Sequence, residues 1–174
     1  MQQIDEVKAL GRLMALCSRG EHCKQELREK MSRWKLDNVV QERIIERLEA
    51  DGFINEERFC RAFVNDKIEF NHWGQRKIEQ ALYQKRIDKR TINATLNAVN
   101  NERYIQQLTP LIKNRIRQLP TDMPEYEQRQ RLIRFAIGRG FSFEVIKAVL
   151  AATLNVDSKE IDIDDDLLLS DNIE

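Results

Sequence analysis

Cys17, His22 and Cys23 fall in one short stretch of a 174-residue chain whose only other histidine is His72 and only other cysteine Cys60. A thiol beside an imidazole can act as nucleophile and base, and both groups bind zinc. A zinc site also needs further ligands at fixed spacing, and no second ligand pair stands at such spacing. Cys17 falls on an apolar helical stripe and Cys60 lies beside Phe59, so both read as small core fillers. Gly138-Arg139-Gly140 follows a helical segment, whereas a phosphate-binding glycine loop needs a preceding strand and more glycine. No Ser-His-Asp set or paired-carboxylate pattern stands out. The expectation is no catalytic residue, no metal, no cofactor and no enzyme, with a thiol or metal enzyme built on Cys17, His22 and Cys23 as the discarded reading.

Binding has more support. Residues 73–90 carry Arg76, Lys77, Lys85, Arg86, Lys89 and Arg90, opposed only by Glu79 and Asp88, with Trp73 and Tyr83 among them. Lys113, Arg115 and Arg117 form a second cluster, and Arg129, Arg131, Arg134 and Arg139 a third. Cations spread along a helical body suit a polyanion or an acidic protein groove. Any single one is better explained as solvating an exposed helix face, while for the cluster at 73–90 binding and solvation weigh evenly. The first two clusters are the candidate partner-binding set, and Trp73 is read as a packing residue at a helix break.

These side chains must be held by helices, because apolar residues recur at helical spacing almost throughout. Val7, Leu10, Leu13, Met14 and Cys17 mark a first helix. Ser18 with Glu21 has the form of a capping box for a second, which carries Leu27, Met31 and Trp34. Asp37 caps a third, with Val40, Ile44, Ile45 and Leu48 inward, and Gly52 suits its left-handed end. Asn55 caps a fourth carrying Phe59, Phe63, Val64 and Ile68. Ile78, Leu82 and Ile87 mark a fifth, and Asp88 caps a sixth with Ile92, Leu96 and Val99. Residues 102–119 read as a seventh helix that Pro110 must kink or split. Pro120 and Pro124 bracket a turn. Leu132, Ile133, Ala136 and Ile137 form an eighth helix, and Ser142 caps a ninth with Val145, Ile146, Val149 and Leu150.

The chain also matches itself. Leu27, Met31, Leu36 and Asp37 shift by 51 positions onto Ile78, Leu82, Ile87 and Asp88, and Ile78, Leu82, Ile87, Ile92 and Leu96 shift by 54 onto Leu132, Ala136, Phe141, Ile146 and Leu150. Each copy reads as a helix, an apolar residue, a capping residue and another helix. Ile87 with Ile92 and Phe141 with Ile146 have hydrophobic-staple spacing; Leu36 departs, being followed there by Gln41. The expected fold is all-α: an elongated, curved array of three tandem three-helix repeats over 1–52, 53–100 and 101–155. Residues 156–174 remain as an acidic tail.

Charge is unevenly divided. Basic and acidic residues number 29 each, but 157–174 hold eight acids and one lysine, leaving 28 basic and 21 acidic residues before them. The tail reads as a solvated, mobile end, qualified by Leu167, Leu168 and Leu169, which could dock; the sharper reading is competition with an anionic ligand for the basic body. The opening MQQIDEVKAL lacks a signal-peptide pattern, no apolar run reaches membrane-spanning length, and three cysteines suggest reduced thiols. A cytoplasmic monomer away from membranes is expected.

One run of residues resembles a known family. Gly52-Phe53-Ile54-Asn55-Glu56-Glu57-Arg58-Phe59, Arg61-Ala62-Phe63-Val64, Lys67, and Trp73-Gly74-Gln75-Arg76-Lys77-Ile78 through Leu82 to Arg86-Ile87 resemble the RecX regulatory proteins. The match is specific across residues 15–90 and loose beyond 100. Gln75 and Arg86 stand where many relatives have a basic residue and a glycine. The resemblance gives Gly52, Phe53, Phe59, Phe63, Trp73, Gly74, Ile78 and Leu82 structural roles and agrees with tandem three-helix repeats. It implies a non-enzymatic modulator that lodges in the groove of the RecA–DNA filament and restrains ATP hydrolysis, strand exchange and co-protease action. DNA, single- or double-stranded, is then met weakly or through the filament. The alternative is a stand-alone helical DNA-binding protein with helix-turn-helix-like units.

Overall fold

The computed structural model describes residues 4–161 and 163. Among these the regular structure is all helical: α1 (Glu6–Cys17), α2 (Lys24–Arg33), α3 (Asn38–Ala50), α4 (Glu56–Glu69), α5 (Gln75–Gln84), α6 (Lys89–Asn97), α7 (Asn101–Arg117), α8 (Glu125–Gly138) and α9 (Phe143–Leu154), then a 3-10 turn Ser158–Glu160.

Most helix starts follow the expected caps. The Asp37 carboxylate accepts from the Val39 N–H at 2.8 Å, Asn55 from Arg58 at 2.8 Å, and Asp88 from Arg90 at 2.8 Å. Ser142 accepts from the Val145 N–H at 3.4 Å. Ser18 departs from expectation. Its hydroxyl donates to the Met14 carbonyl at the end of α1, and α2 begins at Lys24 behind Cys23, which makes no side-chain cap. The serine closes the preceding helix, its N–H and its hydroxyl both donating to the Met14 carbonyl one turn back.

The internal repeat has a backbone cause. At the ends of α2, α5 and α8, Lys35, Arg86 and Gly140 adopt left-handed φ of 59°, 57° and 84°. The next residue's N–H reaches back in each case: Leu36 to Met31, Ile87 to Leu82, and Phe141 to Ala136, at 3.2–3.3 Å. These are three Schellman motifs, each with its apolar pair, and they fall at the 51- and 54-residue offsets of the sequence. Leu36, Ile87 and Phe141 therefore end one helix and precede the cap of the next. In the first copy Gln41 occupies the staple position and is only 4% exposed. Its amide donates to the Leu36 carbonyl at 2.8 Å and the Ser32 hydroxyl at 3.3 Å, which replaces the missing apolar contact.

The chain divides into two compact units, residues 1–64 with 81–95, and residues 65–80 with 96–174. In the first, Ala9, Leu13, Leu27, Met31, Ile44, Ile45, Leu48 and Ile54 form one buried cluster where α1 and α2 pack on α3. Val7 is not part of this stripe, being 80% exposed while Ala9 takes the inward position. In the second unit α7 packs most extensively on α9, burying Tyr104, Leu108 and Ile112 with Val145, Ile146, Val149 and Leu150. α7 continues through Pro110 without being split. The peptide of Gly74 meets that of Gly140: Gly74 N–H donates to the Arg139 carbonyl at 2.8 Å and Arg76 N–H to the Gly140 carbonyl at 2.9 Å. A Cβ on Gly74 would overlap the Gly140 backbone, and one on Gly140 would overlap Lys77. Of the acidic tail, Asp157 caps the 3-10 turn and Ile161 is buried. Leu167, Leu168 and Leu169 lie outside the described residues.

Candidate polyanion-binding surface

In the first unit the expected cations separate by environment. Lys85 is held inward: its Nζ lies 2.6 Å from Glu26 Oε1, both side chains under a third exposed, and above the rings of Phe59 and Phe63 at 5.9 and 5.5 Å. Those two rings pack at 5.7 Å between centroids. His22 Nδ1 lies 2.9 Å from the other Glu26 oxygen. Burial pushes the Glu26 carboxyl up, but the hydrogen bonds from Lys85 and His22 outweigh it and hold the carboxyl below its ordinary value. Lys85 is thus a core tether as much as a surface cation. Arg86, Lys89 and Arg90 are exposed.

Lys89 and Arg90 occupy the first turn of α6, and no acidic residue joins them there. A helix N-terminus carries about half a positive charge, so cations there cost roughly 0.3–1 kcal/mol each at a surface. The same inversion marks α5 in the second unit, where Arg76 and Lys77 sit in the first turn without an acid. By contrast α1, α2, α4, α7, α8 and α9 all carry Glu in the first turn. The Asp88 carboxylate takes the Arg90 N–H at the start of α6 and the Gly140 carbonyl takes the Arg76 N–H at the start of α5, so it is the cationic side chains that offer charge to a phosphate or carboxylate.

In the second unit Lys77 and Lys67 hold their Nζ atoms 5.0 and 4.9 Å from the centroid of Trp73, and Arg76 lies 5.9 Å from Phe143. Lys113, Arg115 and Arg117 are exposed near the end of α7, and Arg115 and Arg117 lie in its last turn, where cations stabilise the helix. Arg115 also sits 5.6 Å from the Phe135 ring, with Arg139 at 5.2 Å from the same ring. Arg115 and Arg117 are thus favoured by their helix dipole, whereas the α5 and α6 cations oppose theirs. The resemblance-derived structural positions behave as cores and turns: Phe59, Ile78 and Leu82 are buried, Phe53 and Trp73 half-buried, and Gly52 has φ of 73°.

Sequence reasoning missed Glu26 as the partner of Lys85 and missed Trp34 beneath Arg12, whose guanidinium lies 6.0 Å from the indole centroid. No local spacing signals the first pair, which is 59 residues apart. Burial raises the thiols of Cys17 and Cys23, and that of Cys60 to about 11, which is opposite to the activation of a nucleophile. Among the described residues no three metal-ligating side chains gather, and no helix is long and apolar enough to cross a membrane.

Two family models match the chain: RecX, second three-helix domain, over residues 55–96, and RecX, third three-helix domain, over 102–150. A regulatory protein RecX of Clostridioides difficile is 26% identical over 155 residues, covering 89% of this chain and 72% of the relative. One from Leptothrix cholodnii is 28% identical, covering 80% and 85%. One from Finegoldia magna is 25% identical; the chain spans only 62% of that relative's length. Among solved structures, a regulatory protein RecX superposes with TM-score 0.75 at 21% identity, covering 83% of this chain and 72% of that one. RecX from Lactobacillus salivarius does so with TM-score 0.74 at 16% identity, covering 87% and 97%. The fold is that of tandem three-helix repeats.

Proposed function

The chain belongs to the RecX family, and from that premise we propose that it is a non-enzymatic regulator that binds in the groove of the RecA–DNA filament. It acts as a cytoplasmic monomer with repeats over 1–52, 53–100 and 101–155 and restrains ATP hydrolysis, strand exchange and co-protease action. The observation that carries this reading is the inverted charge at the starts of α5 and α6. Arg76, Lys77, Lys89 and Arg90 stand where they oppose their own helix dipoles, and although Lys77 also lies over Trp73 and Arg76 beside Phe143, an anionic partner accounts for all four. Filament DNA and acidic protein surfaces both supply such charge, and several weak contacts on one filament add through effective concentration.

The test is charge reversal. Replacing Arg76, Lys77, Lys89 and Arg90 by Glu leaves the helices intact, since acids are favoured in a first turn. Inhibition of recombinase ATP hydrolysis on single-stranded DNA should fall by at least about tenfold in effective concentration. Full inhibition by the folded variant refutes the reading. Salt-steep binding to bare DNA without any effect on the recombinase would favour the stand-alone DNA-binding alternative.

A further inference from the structure

The first unit contains a groove that the family models do not reach. Arg12, Ala15, Leu16, Arg19, Lys30 and Trp34 enclose about 280 Å³ between α1 and α2. Its chemistry is one-sided. Lys24, Arg28, Arg43, Arg47, Arg58 and Lys85 of the same unit each pair with a carboxylate within 3 Å. Among the described residues no carboxylate pairs with Arg12, Arg19 or Lys30, and none lines the groove. The floor is apolar, formed by Ala15, Leu16 and the half-buried indole of Trp34, whose inner side packs on the first unit's core. The exposed Arg12 guanidinium lies over the indole at 6.0 Å, the outer limit of such a contact.

We propose that this groove is a single-strand nucleic-acid subsite, in which one base stacks on Trp34 while Arg19 and Lys30 hold the flanking phosphates. Three unneutralised cations call for an anion. The planar indole at their centre selects a ligand that alternates flat, uncharged rings with negative charge, which a polynucleotide does and an acidic peptide does not. Arg12 is a surface side chain and swings off the indole to admit the base, either onto its outer face or onto a phosphate. The groove has room for a base, and a base within a duplex has its faces stacked on its neighbours and cannot lie on the indole, so the ligand is single-stranded. This subsite does not rest on filament binding, and it is tested with the recombinase absent.

The probe is a fluorescent oligothymidylate titrated into the full chain at low salt, followed by anisotropy. A Trp73→Phe chain reports the groove itself, because Trp34 is then the sole indole. Oligothymidylate should quench its emission, and an abasic oligomer with the same number of phosphates should bind more weakly and leave the emission unchanged. Arg19→Glu with Lys30→Glu should weaken binding at least tenfold and abolish the quenching. Trp34→Leu should weaken binding about five- to a hundredfold, the worth of one stacked base, and Trp34→Phe should restore most of it. Circular dichroism checks that each variant is folded, and the charge variant, being on the surface, keeps the test decisive if Trp34→Leu unfolds. Equal binding of the abasic oligomer, equal quenching by polyglutamate, or undiminished quenching in the charge variant overturns the proposal.

Discussion

Gly140 and Arg86 occupy the same place in successive repeats, the left-handed residue after a helix, yet replacing them should move stability in opposite directions. A side chain in that conformation costs about 1–2 kcal/mol, and glycine's extra freedom in the unfolded chain returns about 0.5–1 kcal/mol of that. Arg86→Gly should therefore stabilise by about 0.5–1 kcal/mol, since its side chain is exposed and makes no hydrogen bond among those described. At Gly140, alanine meets the same backbone cost, and its Cβ also overlaps the Cβ and amide of Lys77. Relieving that overlap separates two peptide hydrogen bonds, Gly74 to Arg139 at 2.8 Å and Arg76 to Gly140 at 2.9 Å. Each contributes about 0.5–1.5 kcal/mol, and with a net backbone cost of about 0.5–1 kcal/mol Gly140→Ala should lose about 1.5–4 kcal/mol in all. With a urea dependence of about 2 kcal/mol per molar, the midpoint falls by about 0.8–2 M for Gly140→Ala and rises by a few tenths of a molar for Arg86→Gly. Trp73 emission in a Trp34→Phe chain follows the second unit for Gly140→Ala, and far-UV circular dichroism follows both variants. A Gly140→Ala midpoint within about 0.3 M of its parent refutes the close backbone approach, and a large loss in Arg86→Gly refutes the conformational argument.

Three more outcomes are expected. Lys85→Met leaves Glu26 half-buried without its ammonium partner and should cost about 1–3 kcal/mol at neutral pH. The Glu26 carboxyl is held below its ordinary value when folded, so its contribution is complete above about pH 4.5 and is lost as pH falls through the lowered value. The stability gap between wild type and Lys85→Met, measured by urea unfolding, should then close below about pH 4.5; a gap unchanged down to pH 3 argues against the tether. The Tyr104 hydroxyl is buried without a partner among the described residues, and burial pushes its pKa up to about 12. Tyr104→Phe should thus be neutral or stabilising by about 1 kcal/mol in thermal unfolding, and a loss above about 1 kcal/mol would reveal a missing partner. Cys23 and Cys60 are buried with raised thiol pKa values, so at pH 8 a thiol reagent should modify them only in denaturant; rapid modification of the folded chain would contradict their burial.

Much of the fold was readable because its determinants are local. Asp37, Asn55, Asp88 and Ser142 bond to N–H groups two or three residues ahead, and Leu36, Ile87 and Phe141 reach back five. Ser18 misled because its hydroxyl has two competing local partners, a carbonyl behind and an N–H ahead, and spacing alone does not rank them. Gln41 was visible as the break in the staple pattern, but its hydrogen bonds to Leu36 and Ser32 were not.

The candidate surface was readable only in outline. Composition located the cations at 73–90, yet Lys85 turns inward onto a carboxylate 59 residues away, while Lys89 and Arg90 remain exposed. The groove at Trp34 brings together cations that belong to none of the three clusters visible along the sequence.

By itself the chain specified nine helices, most of their caps and the recurrence of their ends among the described residues, because caps, periodicity and left-handed ends act within about five residues. Tertiary structure decided which charges are neutralised and which remain available, and where glycine is indispensable, as at Gly74 against Gly140. Electrostatics and close packing depend on atoms brought together across large sequence separation, and such proximity exists only after folding.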